Sequence, residues 1–317
     1  MSDLDLKRRL LMESIAEMYY ISGMSQDEIA HKISMSRSNV SKLLKACISE
    51  KIINFNINYV RSSLEALEKA LQDKFKLKKA IVVPSDSHLE ACKQAVGQYA
   101  AEYLESIIQN NMLIGISWGT TLYYVVNQLR LKDVIHADVI QMIGGMSSKS
   151  VDTDGQELAR KMAQTLNGRA DIMQVPMLVK SRLLKSLILE EPSIVEHFKM
   201  FEKIDIAVVG LGSNKPDLSA VYKSGNITKE EAEDIVKMGA IGDLCGRHID
   251  INGKPCLTSI SERVIGIELA QLKRINTVVG VAAGIEKAEA TLGSLRGSFV
   301  NVLVIDENLA NYILNAK

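Results

Sequence analysis

Residues 24–52 read MSQDEIAHKISMSRSNVSKLLKACISEKI, a stretch that divides into two short helices in a tight pair. Ser25 starts the first, and Glu28 three positions on completes a capping box. The hydroxyl accepts from the N3 amide while the carboxylate accepts from the N-cap amide. Ile29, Ala30 and Ile33 then share one face. A break at Ser34-Met35 follows, and Ser36 caps a second helix with an apolar stripe of Val40, Leu43, Leu44, Cys47 and Ile48. Ala30 is small where two helices must approach closely. Ser34 stands where such a turn often carries glycine to reach positive φ.

What remains on the outer face is Arg37, Ser38, Asn39, Ser41, Lys42 and Lys45, and no acid occurs from Arg37 to Ser49. Small hydrogen-bonding and cationic groups on one helix face suit base edges and phosphates in a major groove. The segment predicts a helix-turn-helix with the second helix as reader, touching DNA through Gln26, Ser36, Arg37, Ser38, Asn39, Ser41, Lys42 and Lys45. The competing reading is an ordinary helical hairpin with a solvated polar face.

At 317 residues the chain has room for one large domain and one small one. Its formal net charge is zero, so nucleic-acid binding requires a local patch. Positions 1–58 hold eight Lys/Arg against seven Asp/Glu, whereas positions 36–51 hold four against one. Positive charge is focused on the proposed reading helix, which implies modest affinity per protomer and tight binding only through oligomerisation. Cys47, Cys92, Cys245 and Cys256 show no paired spacing, and the N-terminus lacks the positive charge of a signal peptide. No apolar run reaches membrane-spanning length. The expectation is a cytoplasmic protein with no membrane contact.

Before this pair, Lys7–Ile21 reads as a helix with Leu10, Leu11, Ile15, Met18 and Tyr19 on its apolar face, completing a three-helix unit. After it, KIINFNINY at 51–59 alternates apolar and polar residues as a half-exposed strand would, plausible as a wing. Leu64, Leu67, Leu71 and Phe75 form a helical stripe, either a connecting helix or a dimer seam. These readings divide the chain into a DNA-binding domain at 1–58 and a ligand-binding and oligomerisation domain at 59–317.

From Lys79 onward the pattern changes. Buried-strand runs at Ala80–Val83, Met112–Ser117, Val139–Ile143, Ile172–Val175, Ile204–Gly210, Thr277–Val281 and Val300–Ile305 alternate with helical stretches. Those helices fall at His88–Gln109, Thr120–Leu129, Gln156–Leu166, Lys229–Lys237, Ile285–Leu295 and Asn308–Asn315. Such alternation predicts an α/β domain with a Rossmann-like, mostly parallel sheet.

Ligands of such sheets sit beyond the carboxyl ends of the strands. Four strand-end loops there are rich in glycine and hydroxyls: Ser117-Trp118-Gly119-Thr120-Thr121, Gly144-Gly145-Met146-Ser147-Ser148, Gly210-Leu211-Gly212-Ser213 and Ala283-Gly284-Ile285-Glu286-Lys287. Asp243 and Arg247 lie in a fifth segment. Backbone amides, hydroxyls and a lysine at helix starts favour an anion such as phosphate. Gly210-Leu211-Gly212 lacks the third glycine of a dinucleotide fingerprint, which argues against NAD. No histidine has metal-ligand spacing, and Asp243 suits a sugar-hydroxyl acceptor as well as a general base. Binding is favoured over catalysis; no cofactor or metal is expected. The competing class is a sugar-phosphate isomerase or deaminase-like enzyme with a helical appendage.

These motifs together resemble the SorC family of bacterial transcriptional regulators. The resemblance spans nearly the whole chain and rests on Gln26–Leu44, on GISWGTT at 115–121, on GAIGDLCGR at 239–247, on Ile265–Leu269 and on Ala283–Lys287. It implies a helix-turn-helix, winged in type, followed by an effector domain similar to sugar-phosphate isomerases, kept as a sensor for a sugar or phosphosugar. It also implies a homotetramer on operator DNA of a carbohydrate operon. By the same resemblance Gly119, Thr120, Thr121 and Lys287 would hold phosphate. Asp243 would accept from sugar hydroxyls, and Gly144, Gly145 and Ser147 would line the cleft with Gly212 and Arg247. Ile143 stands where a lysine could capture an aldose, so reversible, non-covalent binding is implied.

Overall fold

The computed structural model describes residues 3–50, 52–53, 62–131, 133–146 and 152–316. Its contacts divide into two compact units, Met1–Val60 and Arg61–Lys317.

In the first unit, α1 (Asp3–Ala16) runs into a π-helical turn at Glu17–Ile21, and Gly23 at φ +69° reverses the chain. α2 (Gln26–Lys32) carries the expected capping box. The Glu28 amide donates to Ser25 Oγ at 3.3 Å, and the Ser25 amide donates to Glu28 Oε2 at 2.8 Å. Ser34, at φ +55°, makes the left-handed turn itself. α3 (Arg37–Ser49) follows, with the Asn39 amide donating to Ser36 Oγ at 3.2 Å. Ile15, Ile29, Ala30, Val40 and Leu44 close one small core, and Met12, Ala16 and Cys47 a second beside it.

Two expected core positions are corrected. Leu10 is 56 % exposed, because α1 buries Met12, Ile15 and Ala16, a stripe on the opposite side of the helix. Ile48 is 46 % exposed, since α3 packs through the narrow stripe Val40, Leu44 and Cys47, and Ile48 lies about 100° round from Cys47. The expected strand at 51–59 lies outside the described residues except for Ile52 and Ile53, which form a bend beside Cys47.

The second unit opens with α4 (Ser62–Phe75), whose Leu64 and Leu71 are buried in the core of this same unit. Its stripe therefore serves internal packing. Glu68 and Gln72 on α4 accept from the amides of Val82 and Ala80 at 2.9 and 3.0 Å. Side chains thus satisfy the free edge of β1 (Lys79–Val83), the outermost strand. Then come α5 (Leu89–Ile107), β2 (Leu113–Ile116), α6 (Thr120–Gln128), β3 (Asp138–Gln141), α7 (Gly155–Thr165) and β4 (Ala170–Asp171). α8 (Arg182–Leu189) and α9 (Pro192–Met200) lead to β5 (Ile206–Gly210), β6 (Gly212–Ser213), α10 (Ala220–Lys223) and α11 (Lys229–Lys237). β7 (Gly242–Leu244), β8 (Arg247–Ile249), α12 (Leu269–Leu272), β9 (Thr277–Ala282), α13 (Ala288–Arg296), β10 (Val302–Asp306) and α14 (Glu307–Asn315) complete the unit.

Seven strands form one parallel sheet in the order β1-β10-β9-β5-β2-β3-β4. Alternate residues face opposite layers: Ile206 and Val208 of β5 join one core, and Ala207 and Val209 the other. Burial on both faces explains why these strands are almost wholly apolar. A small antiparallel sheet, β6-β7-β8, stands beside the main one. The run expected as a strand at Ile172–Val175 is not one. The ladder ends at Asp171, and the Val175 carbonyl instead accepts from the Gly145 amide at 2.8 Å. Among the described residues no helix is long and apolar enough to cross a membrane.

Candidate functional site

β2 and β5 are neighbours, yet the chain proceeds from them toward opposite edges of the sheet, so their loops diverge and leave a crevice beyond their carboxyl ends. On one side, Gly119 at φ +134° turns the chain from Trp118 into α6. A residue with a β-carbon rarely adopts that conformation. The first-turn amides of α6, from Thr120 to Leu122, have no intrahelical acceptor and stand at the crevice beside the two threonine hydroxyls.

The opposite wall is the hairpin β7–β8. Its turn residues Cys245 and Gly246 both have positive φ, +51° and +72°, as a two-residue turn of this hand requires. Asp243 Oδ2 accepts from the Gly246 amide at 3.3 Å, and its carboxylate lies against the backbone of Gly212, its partner across the ladder. Lys287 closes the third side. It follows Gly284 (φ +92°), whose amide donates to Asp306 Oδ2 at 2.6 Å. Asp306 is fully buried and also accepts from the Ser85 hydroxyl and the Leu309 amide, so the turn carrying Lys287 is anchored.

The enclosed cavity measures about 80 Å³ and is walled by these groups with Ser117, Trp118, Leu211 and Cys245. Burial raises the Asp243 carboxyl above its ordinary value, with the Lys287 charge opposing. Burial equally lowers the Lys287 ammonium, with Asp243 and Glu286 opposing. No hydrogen bond or ion pair engages the Lys287 ammonium among the described residues. The Cys245 thiol is pushed up to about 12, by burial first and by the Asp243 charge second. It is therefore a neutral wall and no nucleophile at physiological pH. The Lys287 ammonium, the first-turn amides of α6, two threonine hydroxyls and the Asp243 carboxylate line one cavity, and Asp243 and Lys287 each feel the other's charge. Such a lining can take a ligand that carries both an anionic group and hydroxyls.

Of the residues singled out from sequence, Gly119, Thr120, Thr121, Gly212, Asp243 and Lys287 meet at this cavity. Gly144 and Gly145 do not line it. They pair with backbone at Ile265, Val175 and Met177, and a β-carbon on Gly144 would strike Pro176. Ser147 lies outside the described residues. Arg247 is buried on the far side of the hairpin, donating to the carbonyls of Ser261, Gly266 and Ile267 and pairing with Glu268 at 2.8 Å. It fastens the loop at 261–268. Trp118 and Cys245 join the cavity wall, beyond the residues the sequence pattern points to. The single tryptophan beside a helix-opening glycine was the available signal for the first.

In the first unit, Arg37, Ser38, Asn39, Lys42 and Lys45 are exposed along α3, Ser41 and Gln26 are half-buried, and Ser36 is used as the cap. Arg37 lies 3.6 Å from Asp27 of α2, an ion pair open to solvent.

Residues 61–315 match the sugar-binding domain model, Sugar-bind. The chain is 31% identical over 319 residues to the sorbitol operon regulator of Klebsiella pneumoniae, covering 96% of this chain and 97% of that one. This chain belongs to the SorC family. The full-length crystal structure of the K. pneumoniae sorbitol operon regulator SorC superposes with a TM-score of 0.78 at 29% identity, covering 99% of this chain and 100% of that one. The deoxyribonucleoside regulator of Bacillus subtilis (strain 168) is 28% identical over 313 residues, 98% of this chain and 99% of that one. These relatives are regulators carrying a sugar-binding sensor domain, and this SorC-family member is a transcriptional regulator and not an enzyme.

Proposed function

We propose that this SorC-family protein controls a carbohydrate-utilisation operon in the cytoplasm. It binds operator DNA through α2 and α3 acting as a helix-turn-helix, and it reversibly binds a phosphosugar in the crevice of the second unit. Residues 1–58 read DNA; residues 59–317 sense the ligand and assemble a homotetramer. Arg37, Ser38, Asn39, Lys42 and Lys45 supply the contacts along α3, with Gln26, Ser36 and Ser41 at its flanks.

The observation that carries the ligand assignment is the Lys287 ammonium, half-buried with no hydrogen bond or ion pair among the described residues, in the cavity it shares with the first-turn amides of α6 and with Asp243. A phosphate there returns the electrostatic contacts that burial removes from the ammonium. Asp243 then accepts from sugar hydroxyls, and Ile143 offers no amine for a covalent bond. A cavity of about 80 Å³ has room for roughly three waters, enough for a phosphate and little more. A sugar chain must therefore extend through the mouth or open it. That gives the ligand different affinities for two arrangements, the requirement for shifting DNA affinity, typically by about 1–3 kcal/mol.

The test uses Trp118, the only tryptophan, on the cavity wall. Its emission is followed while sugar phosphates and the corresponding free sugars are titrated. One phosphosugar should give a saturable change that inorganic phosphate competes away, and Asp243→Ala should lose it. Equal binding of phosphorylated and free sugar, or wild-type affinity in Asp243→Ala, contradicts the assignment.

A further inference from the structure

Lys74, near the end of the helix that opens the second unit, commits its ammonium to another helix. Nζ donates to the carbonyls of Ile313, Leu314 and Ala316 at 3.2, 2.9 and 2.9 Å. The last carbonyls of a helix have no intrahelical donor, and a cation there also suits the helix dipole. α14 stops at Ala316 without a glycine, so α4 supplies its C-terminal cap.

The other end of α14 is tied to the cavity. Asp306 is its N-cap, with Oδ1 accepting from the Leu309 amide at 3.1 Å, while Ser85 Oγ accepts from the Asn308 amide at 2.8 Å. Oδ2 of Asp306 accepts from the Gly284 amide at 2.6 Å, and the Gly284 carbonyl accepts from the Lys287 amide at 3.0 Å. We propose that α14 relays occupancy of the Lys287 cavity to α4, with Asp306 and Lys74 as the couplings at its two ends.

Asp306 is 1 % exposed and takes donors from three segments, at Ser85, Gly284 and Leu309. It cannot re-aim one of those bonds without disturbing the others, so restraint of the 284–287 turn reaches the first turn of α14. Leu309, Ala310 and Ile313 of α14 share a core with Leu64 and Leu71 of α4, and Lys74 adds a polar bond between the two helices. α4 begins at Ser62, directly after the boundary between the two units, so whatever orders α4 is passed along the chain toward the first. Ordering transmitted in this way couples two sites without a large displacement. The relay rests on phosphate binding at Lys287, as proposed above.

Hydrogen exchange of the full-length chain, read by mass spectrometry with and without inorganic phosphate, tests it. In the wild type, phosphate should slow exchange in the first turn of α6 and, by about threefold, in α4. Lys74 is exposed, so Lys74→Met should fold. The variant should keep the α6 response and lose that of α4. An α4 that ignores phosphate while α6 responds, or that responds equally in Lys74→Met, overturns the relay. Absence of any protection in α6 sinks the phosphate reading instead, and the relay is then decided without ligand. Asp306→Asn weakens the N-terminal coupling and should speed exchange in α4 by about threefold, with no further effect in the Lys74→Met background. Ser85→Ala gives the same comparison if Asp306→Asn does not fold. Equal acceleration of α4 in both backgrounds, or none in either, overturns the relay.

Discussion

The Asp243 carboxylate occupies the space that a β-carbon on Gly212 would fill, so the glycine of one strand sets the position of the acid on the next. The obstruction is the end of a flexible side chain, so Gly212→Ala should displace the carboxylate while leaving the fold intact. Phosphosugar affinity should fall by about tenfold, or roughly 1.4 kcal/mol, with the melting temperature nearly unchanged. Isothermal titration beside a thermal melt checks both parts.

Lys287 is the counterpart on another wall of the same cavity. Its folded-state pKa is lowered by burial, so between the folded and unfolded values the unfolded chain binds more protons and stability rises with pH. Below the folded value the folded state carries the full cost of the buried ammonium. Lys287→Met should therefore raise the melting temperature at pH 7, on the order of 2 °C, while abolishing phosphosugar binding. A lower melting temperature in a folded variant would mean that the ammonium is stabilising.

His248 is buried on β8 with Nδ1 2.8 Å from the Thr258 hydroxyl. Burial, helped by Arg247, lowers its pKa from 6.5 to about 4. A depressed value means that the folded state resists protonation. The stability held above pH 6.5 is lost as pH falls toward 4. His248→Gln should flatten the decline of the urea midpoint across that window. An equally steep decline in the variant would place the acid sensitivity elsewhere.

Lys42 and Lys45 stand one turn apart on the exposed face of α3. If both meet phosphates, replacing both with alanine lowers the slope of log affinity against log salt by about two units. Titrations of operator DNA at several salt concentrations measure it, and an unchanged slope would remove both from the interface.

Local chemistry made much of this legible in the sequence. The Ser25–Glu28 box and the Ser36 cap mark where α2 and α3 begin, because the orphan amides of a helix start need a nearby acceptor. The apolar runs of β1, β5, β9 and β10 announce strands buried on both faces. Gly119 and Lys287 were legible as strand-end residues of one sheet, whereas Asp243 sits on β7 of the small antiparallel sheet. What sequence does not display is where non-local backbone goes. Gly144 and Gly145 resemble a ligand loop, yet they serve close pairing with Val175 and Pro176. Arg247 lies four residues from Asp243, but the tight turn at Cys245-Gly246 places it on another face.

The most direct test of the regulator reading is fluorescence anisotropy of the full-length protein on DNA from upstream of its own operon. It is measured at fixed salt, with and without sugar phosphates and their free sugars. Specific binding that one phosphosugar shifts and its free sugar leaves unchanged is the predicted result. No specific binding to any upstream DNA, or a response to unphosphorylated sugars alone, contradicts it.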